Sequence, residues 1–131
     1  MTAIPPVQLE GRHVVLEPLS LDHLGALCEA GSDPATFRWF PFAVAGQGPM
    51  RVFVQQALDE QAQGKALPFV IRTRHDGEIV GSTRFGAIES AHARAELGWT
   101  WLAPAVQRTP INTECKLLLL RHGFEVLNYN R

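Results

Sequence analysis

The sequence predicts one α+β domain over residues 1–131, a mostly antiparallel sheet flanked by helices. Three observations carry that prediction. Two helical stretches follow an N-terminal strand region. Three strands then succeed one another, separated by turn residues, and read as a meander. Finally, residues 110–127 form a helix whose four consecutive leucines, 117–120, cover most of its circumference. Such a helix is expected to be buried on more than one side, against a sheet.

Each element has a local reason. Val7–Leu9 and His13–Pro18 read as strand, with Glu10-Gly11-Arg12 as a turn or bulge between them. Ser20 is a good N-cap for a helix over Leu21–Ala30, whose Leu24, Leu27 and Cys28 make an apolar face ended by Gly31. Asp33-Pro34 opens a short helix through Trp39, and Pro41 stops it. Gly46–Pro49 leads into a helix to about Gln63, with Met50, Phe53, Ala57 and Leu58 at helical spacing and Gly64 as terminator. Pro68–Arg74 alternates apolar and polar residues, and His75-Asp76-Gly77 turns the chain into Glu78–Ile88, its hairpin partner. After a turn at Glu89–Ala93 the third strand of the meander runs over Arg94–Leu102.

Composition narrows the function classes. Apolar residues make up 46% and charged residues 19%, ordinary values for a globular domain. A net charge of −1 gives no electrostatic case for nucleic acid or an anionic membrane surface. Cys28 and Cys115 match no metal spacing and read as buried thiols in a reducing compartment. The N-terminus has neither a basic nor an apolar leader region, and no segment approaches a membrane span, so the expected location is cytoplasmic.

The chemistry concentrates in Arg94–Leu127, a strand, a loop over Ala103–Pro110, and the long helix. A strand feeding a helix N-terminus presents unpaired N–H groups and the positive end of the helix dipole, which suits a phosphate group. Glu96 on that strand is a candidate for proton chemistry beside it.

The order of strand, two helices, three-stranded meander, loop and helix resembles the first two-thirds of the GNAT N-acetyltransferase fold, in its ribosomal-protein N-terminal acetyltransferase-like (RimJ/RimL-like) branch. The residues that carry the likeness are LEGRHVVLEPL at 9–19, GEIVGSTRF at 77–85, AELGWTWLAP at 95–104 and QRTPINTECKLLLLRHGFE at 107–125. The resemblance implies a three-layer α/β sandwich of the acyl-CoA N-acyltransferase type. It also implies acetyl transfer from acetyl-CoA, without a metal, to a primary amine, either a protein N-terminus or a small molecule. The pantetheine chain would pair with the fourth-strand backbone at Glu96–Leu102, hence Trp99, Thr100, Trp101 and Leu102. The pyrophosphate would sit on the loop and helix start at Gln107, Arg108, Thr109, Pro110, Ile111, Asn112 and Thr113. Glu96 would be the general base in a direct ternary-complex transfer, and Trp39 and Phe40 would wall the acceptor pocket.

The sequence departs from the family pattern in two ways. Arg108 and Pro110 stand where glycine or another small residue is usual, which predicts a weakened phosphate site; Pro110 lacks an N–H, but at a first helical position that group is dispensable. The chain also ends where a fifth strand is expected, so the resemblance implies a C-terminally incomplete domain with a bare strand edge, suited to a homodimer or swapped assembly. The competing reading is a catalytically incompetent CoA-binding or interaction domain.

Several residues carry two readings. Thr109 serves equally as a phosphate ligand and as an N-cap, and Trp39 and Phe40 equally as an acceptor wall and as a hydrophobic plug. By strand alternation the Trp99 and Trp101 side chains lie opposite Glu96 and Thr100 and are expected in the core. His75 and His92 are expected in solvent, and His122 as a packed or surface residue. Arg72, Arg74 and Arg84 are expected on the strand surface.

Overall fold

A computed structural model describes the backbone of residues 7–89 and 94–125, and their side chains apart from those of 87–98 and 124–125. The expected turn after Glu89, with His92, lies outside the described residues. Five strands form one sheet: β1 (Leu9–Glu10), β2 (Val14–Pro18), β3 (Leu67–Thr73), β4 (Ile79–Glu89) and β5 (Arg94–Leu102). Each pairs antiparallel with the next in the order β1-β2-β3-β4-β5, which among the described residues leaves β5 at one border. Helices α1 (Leu24–Ala30) and α2 (Gln47–Ala62) connect β2 to β3, and α3 (Pro110–Glu125) follows β5.

The two faces carry separate cores. Val14, Leu16, Leu67, Phe69, Ile71, Phe85 and Leu102 pack with Cys115 and Leu119 of α3. Val70 and Trp101 pack with Leu27, Phe37, Met50, Phe53 and Val54 from the opposite helical layer. This is the expected three-layer sandwich. The alternation read in β3 therefore separates two buried faces, and all of Leu67–Ile71 is buried.

Local chemistry sets the boundaries. The Ser20 hydroxyl accepts from the Asp22 amide, and His23 Nδ1 accepts from the Ser20 amide, so Ser20 caps a 3-10 turn at Leu21–His23 before α1 begins. Asp33 accepts from the Ala35 amide and opens a 3-10 turn over Pro34–Phe37, shorter than the helix expected through Trp39. At the β3–β4 hairpin Asp76 accepts from the Thr73 hydroxyl and the Glu78 amide, while Gly77 takes φ +74°, a conformation costly for other residues. Gly81 is required for a different reason: any Cβ there would collide with the Trp101 carbonyl oxygen across the β4–β5 pair.

Two expectations fail. Helix α3 buries a single stripe, in which Cys115 and Leu119 are buried and Ile111 and Leu118 pack against them. Leu117 and Leu120 are exposed, because one sheet face is all that α3 meets among the described residues. Arg84 is not on the strand surface. Only 6% exposed, it lies under α2 with its guanidinium against the rings of Phe53 and Trp99. Arg72 and Arg74 do lie at the sheet's outer end, paired with Glu17 and Glu10.

Candidate functional site

The site grows from an irregularity in β5. Between the pairs Ser82–Trp101 and Arg84–Gly98, β5 carries Trp99 and Thr100 against the single residue Thr83. This is a β-bulge, and Trp99 sits in it at φ +50°. The hydroxyls of Thr83 and Thr100 meet at 2.7 Å across it. The bulge breaks the side-chain alternation read from the sequence. Trp101 is buried as expected, stacked edge-on to Phe37 at 5.0 Å. Trp99 instead stands at the rim of the core, 38% exposed, against Phe40 and Phe42.

Beyond β5 the chain makes a 3-10 turn at Pro104–Val106 and enters α3 at Pro110, the expected first helical residue. Gln107 Nε2 donates to the Leu102 carbonyl and folds this loop back on the strand. Arg108 takes φ +62°, the left-handed conformation that glycine adopts without penalty. That is the position where the family pattern has a small residue. The Thr109 hydroxyl donates to the Val106 carbonyl and accepts weakly, at 3.4 Å, from the Ile111 amide, so its capping role is realised.

These elements enclose a cavity of about 420 Å³ between the end of β5, the start of α3 and the 33–39 segment. Of the residues expected at a cofactor, Thr100, Trp101, Leu102, Gln107 and Asn112 line it. So does Trp39, otherwise 84% exposed with the Arg38 guanidinium over its ring. Thr109, Pro110 and Ile111 instead line a separate hollow of about 360 Å³ with His13 and His75. Arg108 just before the helix and Thr113 in its first turn are both exposed. Phe40 is half-buried in the aromatic cluster with Phe37, Phe42, Phe53 and Trp99. Glu96 pairs with Gly86 in the β4–β5 register; its carboxylate lies outside the described side chains.

Three lining residues carry buried polar atoms with no hydrogen-bond partner among the described residues: Thr36 Oγ1, Trp101 Nε1 and Asn112 Oδ1. Leaving such groups unpaired costs about 1–3 kcal/mol each, and all three belong to residues that line this one cavity. Arg38 and Lys116 add cationic side chains to the lining, and Asp33 an acidic one. The sequence reading missed Thr36, Arg38 and Lys116. Lys116 was discoverable, since it lies four residues after Asn112 and so shares its helix face. Thr36 and Arg38 reach the cavity only through the packing of their segment on Trp101.

Outside the cavity, burial pushes the Cys115 thiol up to about 12, which makes it an inert packing group. His122 is buried beside Phe85 on the α3 side; burial lowers its pKa, and its Nε2 has no hydrogen-bond partner among the described residues. Among the described residues no cluster of His, Cys, Asp and Glu suits a metal ion, and no helix is long and apolar enough to cross a membrane.

Comparison with known proteins agrees with this architecture. The chain superposes on a GCN5-related N-acetyltransferase from Brucella melitensis with a TM-score of 0.84 and 26% identity, covering 98% of this chain and 59% of that one. A protein from T. thermophilus assigned as an acetyltransferase gives a TM-score of 0.81 and 38% identity, over 98% of this chain and 65% of that one. Mycobacterium smegmatis RimJ, solved with CoA-disulfide, shares the fold at a TM-score of 0.76 and 20% identity, over 95% and 65%. The chain thus spans about three-fifths of the length of these solved proteins. No curated protein matches it in sequence. The family model described as "Acetyltransferase (GNAT) domain" matches residues 13–131, and the chain belongs to that family.

Proposed function

We propose that the cavity receives the pantetheine and pyrophosphate portion of acetyl-CoA, and that the protein transfers the acetyl group to a primary amine. The observation that carries this reading is that three residues with unpartnered buried polar atoms, Thr36, Trp101 and Asn112, line one cavity at the bulged strand. The donor set fits the group. An indole N–H suits a carbonyl, an amide oxygen suits an N–H, and the cations of Arg38 and Lys116 suit phosphates. The first-turn amides of α3 add the positive end of its dipole.

Acetyl-CoA supplies an activated thioester. This chain's residues hold it and manage protons. Among the described residues no strand pairs with the outer side of β5, whose backbone N–H and C=O groups there suit an extended chain, as an added strand would use them. Glu96 takes a proton from the acceptor ammonium, directly or through a water, because the protonated amine has no lone pair with which to attack. The amine nitrogen then bonds to the acetyl carbon, the C–S bond breaks, and the second proton lost by the nitrogen passes through solvent to the departing thiolate, leaving an amide and a thiol. N–H groups near the bulge donate to the carbonyl oxygen as negative charge develops on it.

Calorimetric titration of acetyl-CoA into the protein tests the first half of the proposal. Saturable binding is expected, weakened about 2- to 10-fold in Trp101→Phe, which keeps an aromatic ring and removes the N–H. Absence of binding by the folded chain would overturn it. Glu96→Gln tests the second half: turnover should fall about 10²- to 10⁴-fold with acetyl-CoA binding unchanged. Unchanged turnover would remove Glu96 from the mechanism, and binding without turnover in the parent protein would indicate a CoA-binding domain.

A further inference from the structure

Among the described residues Arg84 is a buried cation with a single ionic partner. Its Nη1 lies 3.5 Å from Glu60 Oε1, an ion pair beyond hydrogen-bonding geometry, and the Glu60 side chain is 44% exposed. Nε and Nη1 are buried and have no hydrogen-bond partner among the described residues. The rings of Phe53 and Trp99 lie 5.6 Å and 5.9 Å from the guanidinium carbon and restrict its rotation. Burying a guanidinium between rings with unused N–H groups is unfavourable unless an anion uses them.

The surroundings leave room for one. The residue across the β4–β5 pair from Arg84 is Gly98, and two positions along β4 is Gly86. Neither has a side chain to fill the space beside the guanidinium, and a Cβ built on Gly86 meets nothing within 4 Å. Trp99 and Phe42, both partly exposed, form the outer wall. Glu96 pairs with Gly86, which puts the proposed base two residues from Gly98 along the same strand. A row of ring contacts, Trp101 to Phe37 to Phe40 to Trp99, joins this hollow to the cavity assigned to acetyl-CoA.

We infer that this hollow is the acceptor subsite, and that Arg84 selects amines carrying a carboxylate by a charge-assisted hydrogen-bonded pair. The inference rests on the acetyl-transfer reading above and supplies the acceptor's chemical class. A guanidinium N–H donates a charge-assisted hydrogen bond to a carboxylate oxygen, while the aromatic walls take the intervening carbon chain. A free amino acid and an acidic residue next to a peptide N-terminus present the same pair of groups.

The test has two acceptor arms. One compares ω-amino acids, from glycine to 6-aminohexanoate, each with its own amide. The other compares a tripeptide beginning with glutamate with its glutamine twin. The expected result is a kcat/KM ratio of about tenfold or more for acid over amide in at least one arm, which names the source. Arg84→Met should abolish the ratio, mainly through KM, with acetyl-CoA affinity unchanged; Arg84→Lys should restore part of it. Gly86→Leu, which fills the hollow without touching the charge, should raise KM for the same acceptors. Turnover with equal ratios in both arms would overturn the subsite and leave acetyl transfer standing. If no amine is acetylated, the acetyl-transfer reading fails, and the subsite is read by tryptophan fluorescence during titration with 4-aminobutyrate and with its amide. An acid-specific, saturable change lost in Arg84→Met supports the subsite, and its absence overturns it.

Discussion

The hydroxyls of Thr83 and Thr100 lie 2.7 Å apart across the β4–β5 bulge, and Thr83 is fully buried. The pair holds together the two strands where their regular register is interrupted, next to both the cavity and Arg84. Either single valine substitution strands a hydroxyl, at an expected cost of about 1–3 kcal/mol. The double substitution removes both polar groups and should cost less than the two singles combined. Urea denaturation of the four proteins measures this; additive losses would mean that the hydroxyls are not coupled.

Arg108 should be replaceable by glycine without loss of stability. Its φ of +62° costs a side-chain-bearing residue about 1 kcal/mol or more, which glycine avoids. Arg108→Gly is therefore expected to leave Tm unchanged or raise it by a few degrees, whereas Arg108→Val should lower it. Thermal melts decide between them, and a drop for the glycine variant would show that the Arg108 side chain has a stabilising contact.

Glu114 holds α3 to the N-terminal hairpin. Its Oε1 accepts from the backbone amides of His13, at 2.7 Å, and Val14, at 2.9 Å, residues about a hundred positions away. Glu114→Ala leaves both amides without this acceptor and should cost about 2–3 kcal/mol by denaturant titration, and Glu114→Gln about half of that. Hydrogen exchange at the His13 and Val14 amides should rise in the alanine variant. Unaltered protection there would contradict the role.

Stability should fall as the solution is acidified below pH 6.5. Burial lowers the pKa of His122 from its ordinary 6.5. Burial also lowers that of His23, with Arg72 reinforcing the shift and Glu17 and Asp22 opposing it. With folded pKa values below the unfolded ones, acid protonates the unfolded chain first and favours it. The loss begins near the unfolded pKa and levels off below the folded values. His122→Leu should flatten part of this slope and raise Tm more at pH 5 than at pH 7.5. An equal change at both values would exclude a proton-linked role for His122.

Much of the framework was legible because short-range chemistry decides it. Asp76-Gly77 specified a hairpin since only a few residues tolerate that backbone, and Gly77 takes the positive φ. Pro110 marked the first turn of α3 because proline is compatible with a helix only there. The strand Arg94–Leu102 and the run of α2 to Ala62 followed from periodicity and flanking turn residues. The expected cofactor strand and loop residues also met at one cavity in part, through Thr100, Trp101, Leu102, Gln107 and Asn112.

The sequence by itself thus determined the order and type of the elements, the turns between them, and the family to which they are similar. Tertiary structure alone decided three things that bear on function. The bulge turned Trp99 out to the rim, because pairing with β4 adds a residue that strand alternation cannot anticipate. One-sided packing left Leu117 and Leu120 exposed in a run whose composition suggested burial all round. Packing of α2 over β4 buried Arg84 between Phe53 and Trp99, although its neighbours in sequence look like an ordinary strand surface. The physical reason is common to all three. Backbone preferences act within a few residues of chain, whereas burial depends on partners that are distant in sequence and are set only when the layers close.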